Sequence, residues 1–333
     1  MKALVTGGGG FLGKAIVKLL IARGDEVLSF SRSAHPALTA LGVEQCRGEL
    51  SDTEAVSRAA EGCDIVFHVA AKAGVWGPYQ EFYAANVLGT RHVIDACHQH
   101  GIRRLVYTSS PSVVFDGSDM EGVNESVPYP EQFKAFYPET KAEAEQLVLQ
   151  ANDKQLATVA LRPHLIWGPE DNHLVPRILD RGARGALRRI GRRDSLADTI
   201  YIDNAATAHL QAADQLDIGS VVAGKVYFLS QGEPLPIWEI VDRILDAGGI
   251  APVSGTISPQ LAYAIGWTLE KFYTLLNIKG EPRMTRFVAS ELSTAHWFDI
   301  SAAQNDFGYN PKVSFDEGMQ RLKSWLTEQR LRS

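Results

Sequence analysis

Cysteine is scarce and unpatterned in this 333-residue chain: Cys46, Cys63 and Cys97 are odd in number, far apart and without a C-x-x-C pair. That excludes a disulfide framework and a cysteine-based zinc site, and it fits three small buried hydrophobes in a reducing cytoplasm. An excess of basic residues is also missing: 33 Lys and Arg stand against 39 Asp and Glu, a net charge of −6, so no nucleic-acid partner is expected. No apolar run approaches the roughly 18 residues of a membrane span, and no signal-peptide pattern precedes the first strand. Repeats and low-complexity tracts are absent. His164 and His209 lack paired metal-ligand spacing and are expected to be structural, so no metal is expected.

Glycine, by contrast, is concentrated where it carries meaning. Residues 2–6 (Lys-Ala-Leu-Val-Thr) read as a short buried strand leading into Gly7-Gly8-Gly9-Gly10-Phe11-Leu12-Gly13, after which Leu12, Ile16, Leu19 and Leu20 mark a helix. A glycine-rich turn between strand and helix presents free backbone N–H groups and the positive helix end to a pyrophosphate. Gly7 allows the tight turn, Gly10 the close approach of the diphosphate and Gly13 the packing of helix on strand. Nucleotide binding follows, with Phe11 and Leu12 in the first helical turn.

Strand-like runs at 26–31, 65–69, 104–109 and 157–162 alternate with helical periodicity at 52–60, 87–100 and 141–151. Strands separated by single helices predict βαβ units: an α/β, doubly wound parallel sheet of the Rossmann type. Hydrophobic residues are 45% and charged residues 22%, ordinary globular values. Beyond Pro163 the pattern loosens into short strands (199–202 and 225–229), helices and the turn Gly232-Glu233-Pro234-Leu235-Pro236. We therefore expect a nucleotide domain over 1–163 and a smaller, mixed substrate lobe over 164–333, with the chain crossing back to the sheet.

Tyr137-Pro138-Glu139-Thr140-Lys141 opens a helix, and the spacing of four puts Tyr137 and Lys141 on one face. An ammonium beside a phenol favours phenolate, which predicts a Tyr137 pKa lowered from about 10 and a side chain able to exchange a proton with a carbonyl/alcohol pair. Upstream, Tyr107-Thr108-Ser109-Ser110 stands at the C-terminal edge of a predicted strand, where open α/β sheets bind ligands.

Together these motifs resemble the extended short-chain dehydrogenase/reductase family. Further matches are Asp64-Ile65-Val66-Phe67-His68-Val69-Ala70-Ala71, Asn86-Val87-Leu88-Gly89-Thr90, Leu161-Arg162-Pro163 and Tyr201-Ile202-Asp203-Asn204. The resemblance implies that Ser110 orients the substrate carbonyl, Tyr137 transfers the proton and Lys141 holds the nicotinamide ribose. Ser110 is preferred to Ser109 because Ser110-Pro111-Ser112-Val113-Val114 aligns with the family's serine. It also implies that Ala70 and Ala71 flank the ribose–diphosphate, that Asn86 belongs with the cofactor residues while supporting the active-site helix, and that Pro163 touches the nicotinamide.

Two departures bear on the cofactor. Where the family often has an acidic residue on the adenosine 2′-hydroxyl, this chain has Ser31-Arg32-Ser33, which suits a 2′-phosphate and predicts NADP(H). A solvated loop arginine is the plainer reading of Arg32. Glu49-Leu50 replaces the usual Asp-Leu beside the adenine.

Within the family, Tyr201 to His209 and Trp297-Phe298-Asp299-Ile300 are similar to the 3β-hydroxysteroid dehydrogenase-like branch. Three stretches (70–77, 160–169 and 280–287) resemble its bacterial members that reduce 2-alkyl-3-oxoalkanoates in long-chain olefin biosynthesis. The expected substrate is thus a hydrophobic β-keto acid. A sterol, a nucleotide sugar or a non-catalytic NADP-sensing role are the alternatives. Residues 258–278 are apolar around more of a helix than a surface needs. They suit the roof of an acyl pocket, a peripheral membrane or multi-enzyme contact, or a helix buried between lobes. Arg177, Arg181, Arg184, Arg188, Arg189, Arg192 and Arg193 crowd one segment, as carboxylate-binding forks or as a solvated surface. A homodimer is the expected assembly.

Overall fold

The computed structural model describes residues 1–191 and 194–332. Its centre is a parallel sheet of seven strands: β1 (Lys2–Thr6), β2 (Glu26–Ser31), β3 (Glu44–Arg47), β4 (Ile65–His68), β5 (Arg104–Thr108), β6 (Ala157–Pro163) and β7 (Lys225–Leu229). They lie side by side in the order β3-β2-β1-β4-β5-β6-β7. The order reverses between β1 and β4, which opens the crevice where such sheets bind dinucleotides. β3 follows a weak sequence pattern and extends the sheet beyond the strands read from periodicity. β7 pairs in register with β6, Lys225 opposite Val159 and Leu229 opposite Pro163, so the chain returns to the main sheet well after residue 163.

Strand alternation sorts the core into two layers. Ala3 and Val5 of β1 with Phe67 and Val106 pack against α1 (Phe11–Ala22), whose Ile16, Val17 and Leu20 form its buried stripe. Leu4, Phe30, Val66 and Leu105 face the other way, against α2 (Thr53–Ala60) and α3 (Gly89–His100). Val148 of α4 (Phe136–Gln150) joins this second layer. Just before α3, residues Tyr83–Leu88 form a π-helical segment, where the sequence pattern predicts only the start of an α-helix. Such π segments frequently mark functional sites.

The remaining chain builds over the C-terminal edge of the sheet. It carries α5 (Leu174–Ala183), α6 (Ile202–Gln215), α7 (Pro259–Leu275) and α8 (Arg286–Glu291), with a small sheet uniting Met120–Val123, His296–Phe298, Leu196–Ala197 and Leu235–Pro236. α6 packs its alanines on the main sheet, in the same layer as α1.

α7 answers one expectation. It is not buried between lobes: Leu261, Tyr263, Ile265, Trp267, Phe272, Leu275 and the following Leu276 are 40–83% exposed. Its inward contacts come from Ala262, Gly266 and Glu270, whose carboxylate holds Arg286 at 2.6 Å. Among the described residues, no helix is long and apolar enough to cross a membrane.

Candidate active site

The glycine turn forms a cradle that only glycine permits at two places. Gly7 has φ +71° and lies against Ala70, and a Cβ on Gly13 would run into the Gly7 carbonyl oxygen. Gly10 begins α1 without a side-chain cap, so the first-turn N–H groups face outward uncapped. This fits a dinucleotide pyrophosphate. Phe11 and Leu12 pack their side chains on the core, so they serve the cradle through backbone alone.

At the far end of the crevice, the sheet register sets Arg47 directly across from Ser31, beside Arg32. Arg32, Arg47, Glu49 and Ser51 line one hollow of about 590 Å³. Neither arginine is spent on a partner among the described residues. Sequence reading missed Arg47, because β3 carried no strong pattern. Leu50 packs over Gly89 and its carbonyl takes the Nδ1–H of His92 at 2.8 Å.

The polar layer beneath the crevice is closed on itself. His68 links Thr6 Oγ1 (2.7 Å) to Thr90 Oγ1 (3.0 Å) and is pushed down to about 3 by burial, so it stays neutral. Asn86, at 2% exposure, spends its side chain on protein: Oδ1 accepts the Lys72 N–H at 2.7 Å, and Nδ2 donates to the Lys72 carbonyl and to Thr140 Oγ1 at 3.0 Å. Asn86 thus braces α4 from behind, as the π-helical segment turns it inward.

α4 delivers Tyr137 and Lys141. Lys141 is 2% exposed, donates from Nζ to the Thr108 carbonyl at 2.6 Å and lies 4.1 Å from the centre of the Tyr107 ring. Burial pushes it down to about 7. Tyr137 is pushed up to about 12, again by burial, with the Ser110 hydroxyl pulling the other way by hydrogen bonding. The expected lowering of the phenol by Lys141 is thus not met: the ammonium faces a carbonyl and a ring, and desolvation dominates. In its protonated form Tyr137 is a proton donor held by Ser110. Ser110 Oγ in turn lies 2.9 Å from Ser112 Oγ.

Ser110, Ser112, Tyr137 and Pro163 share a cavity of about 670 Å³ with Val75, Phe115, Met120, Leu174, Phe287 and Phe298. Polar groups in its wall that sequence reading did not single out include Glu291 and His296. His164, expected to be structural, bonds Asp198 through Nδ1 at 3.0 Å and also borders the cavity. His209 is buried between Thr108 Oγ1 and the Ala205 carbonyl. At the cavity edge Arg177 pairs with Glu281 at 2.7 Å. Arg184 pairs with Asp180 and Arg189 with Asp242, so three of the five described arginines of the run are held in ion pairs. Arg192 and Arg193 lie outside the described residues. No residue of 258–278 is among those lining this cavity.

The 3-beta hydroxysteroid dehydrogenase/isomerase family matches this sequence over residues 4–258. The chain belongs to that family. A 2-alkyl-3-oxoalkanoate reductase of Stenotrophomonas maltophilia (strain K279a) is 53% identical over 326 residues, 97% of this chain and 99% of its own. The sterol-4-alpha-carboxylate 3-dehydrogenase, decarboxylating, of Mus musculus is 33% identical over 325 residues, 96% of this chain and 89% of its own. Among solved structures, that of gox2253 superposes with a TM-score of 0.79 at 26% identity, covering 98% of both chains. As a member of this family the protein is an oxidoreductase acting on a CH–OH group, with a nicotinamide cofactor. Gly7–Gly13 and Ala70 would hold that cofactor's diphosphate, and Pro163 and Lys141 would face its nicotinamide ribose end.

Proposed function

We propose that this protein reduces the ketone of a hydrophobic β-keto acid, a 2-alkyl-3-oxoalkanoate, to the 3-hydroxy acid with NADPH, as a step of long-chain olefin biosynthesis. The observation that carries the reading is the cavity itself, with Ser110 and Tyr137 set into an otherwise largely apolar wall. Such a wall takes alkyl chains, and the serine–tyrosine pair orients one carbonyl among them. Bound NADPH supplies the hydride for the carbonyl carbon. Tyr137 gives its phenolic proton to the carbonyl oxygen while Ser110 holds that oxygen, and the alcohol results.

Two relatives support the substrate class. The bacterial reductase is named for a 2-alkyl-3-oxoalkanoate and the mouse enzyme for a sterol carboxylate. Both names combine an oxidisable or reducible carbon with a carboxyl group on a greasy frame. Arg32 and Arg47, without an ion-pair partner among the described residues, support NADPH over NADH. The three free cysteines fit a cytoplasmic enzyme. A membrane or multi-enzyme contact through the apolar face of α7, and a homodimer, are part of the same proposal. Vesicle co-sedimentation and light scattering test them.

The deciding experiment measures oxidation of NADPH and NADH against a 2-alkyl-3-oxoalkanoate, a 3-ketosteroid and a nucleotide sugar. The proposal requires the keto acid to be the best substrate, with one cofactor oxidised per hydroxy acid formed. Preference for the ketosteroid would make the protein a sterol dehydrogenase. A tightly held cofactor returned unchanged with the nucleotide sugar would make it an epimerase.

A further inference from the structure

Glu291 is a carboxyl set into the catalytic cavity that the reaction above does not use. It ends α8, lines the same cavity as Tyr137 and Ser110, and its side chain has no partner among the described residues. Its side chain and the Tyr137 phenol thus border one and the same cavity. Its backbone is fixed by His296, whose Nε2–H donates to the Glu291 carbonyl at 3.0 Å. A carbonyl only accepts, so the proton is on Nε2 and His296 presents no second donor.

The other ionisable groups bordering the cavity do not neutralise it. Tyr137 keeps its proton; His164 is held by Asp198, and its ring packs edge-on to His296. His296 itself stays neutral, pushed down to about 3 by burial. Arg177 is occupied by Glu281, and Arg286 on Glu291's own helix is held by Glu270. His173 remains at the α5 side. Burial alone therefore governs Glu291 and pushes it up to about 7.

In a β-keto acid the carboxylate is only two bonds from the ketone carbon. With the ketone oxygen on Ser110 and Tyr137, the carboxylate must lie inside the cavity that Glu291 also lines. We propose that Glu291 receives the substrate carboxylate by donating its own carboxyl O–H to it, and so makes the enzyme select acids over neutral ketones. The inference rests on the keto-acid reading and adds to it a specificity residue with its own pH signature. A hydrogen bond from a neutral carboxyl to a carboxylate is charge-assisted and strong, whereas two carboxylates repel.

The test compares kcat/KM for a 2-alkyl-3-oxoalkanoate and for its methyl ester, in wild type and variants, between pH 6 and 8.5. The acid-to-ester ratio cancels effects on Tyr137 and on the cofactor. In wild type this ratio is expected to fall about tenfold per pH unit above roughly 7, as the donor is lost. Glu291→Gln, whose amide always donates, should make the ratio nearly flat. Glu291→Ala should lower the ratio at pH 6 by about 10- to 100-fold. Ester turnover also reports that each variant is folded. A ratio unchanged in Glu291→Ala, or a pH fall that persists in Glu291→Gln, overturns the assignment. So does loss of acid preference in Arg177→Gln with Glu291→Ala unaffected, which would move the carboxylate to the cavity edge. If wild type reduces neither acid nor ester, the keto-acid reading itself fails.

Discussion

Removing Arg32 should change which cofactor the enzyme prefers without changing the chemistry. Arg32 follows the last residue of β2, and Arg47 closes β3 directly opposite Ser31, so two arginines line one hollow. A charge-assisted hydrogen bond contributes about 1.5–3 kcal/mol, and each 1.4 kcal/mol is tenfold in affinity. Both arginines are exposed, so solvent screening places each contact near the lower limit, about tenfold. The pair together should favour NADPH by roughly 10- to 100-fold. Glu49 in the same hollow opposes this, and Glu49→Gln should tighten NADPH binding modestly. The assay is kcat/KM for NADPH and NADH with one keto acid, at low and at high salt. Arg32→Ala should remove most of the preference through loss of NADPH efficiency, with NADH use intact. Arg47→Ala should act in the same direction. Ser31→Asp should push selectivity toward NADH by repelling a 2′-phosphate. Salt should erode the wild-type preference, because the contacts are at the surface. Equal efficiency with both cofactors in the unmodified enzyme would refute the reasoning and leave Arg32 a solvated loop residue.

Lys141→Met should weaken cofactor binding and slow turnover together, yet leave the melting temperature unchanged or higher, since a buried ammonium is costly to hold. Cofactor titration and thermal melting on the same sample check both halves. Glu145→Leu should destabilise by about 3–5 kcal/mol, because Glu145 (0% exposed) holds the buried Arg162 through Nε at 2.9 Å and Nη2 at 2.6 Å. Adding Arg162→Met should recover much of that loss in urea titrations; a double variant worse than the single would deny the pair its role in fixing α4 on β6. For Glu291, the folded carboxyl titrates near 7 and the unfolded one near 4.5, so it erodes stability as pH rises from 4.5 through 7. Glu291→Gln should therefore gain stability over wild type at pH 8, on the order of 3 kcal/mol, and little at pH 4, read by denaturant titration at both values.

What the residues revealed in advance was whatever depends on local pattern. The strand–glycine–helix run gave the cradle, and period-two and period-3.6 patterning gave most of the sheet and its helices. Tyr137 and Lys141 were legible because a spacing of four on a helix is itself geometry. Arg47 was not, because β3 is four residues long with a half-exposed pattern, and only the parallel register brings it to Ser31. Glu291 and His296 reach the cavity from the far end of the chain, across the small sheet, and no spacing links them to residue 137. The direction of the Tyr137 shift was misjudged for a related reason: sequence shows that a lysine is one turn away, but not that its ammonium turns to the Thr108 carbonyl. The exposed face of α7 lay between, since composition shows that a helix is greasy and only packing shows which side remains outside.

The central claim is that Tyr137, held by Ser110 in a cavity of mixed but mainly apolar lining, protonates the ketone of a β-keto acid. Its most direct test is single-turnover reduction of a 2-alkyl-3-oxoalkanoate by wild type and by Tyr137→Phe, each preloaded with NADPH and followed by nicotinamide absorbance and by product analysis. The account predicts stoichiometric 3-hydroxy acid from wild type and a rate lower by about 10²–10⁴-fold in Tyr137→Phe, with NADPH affinity nearly unchanged. Near-normal reduction by Tyr137→Phe, or no hydroxy acid from wild type, would contradict it.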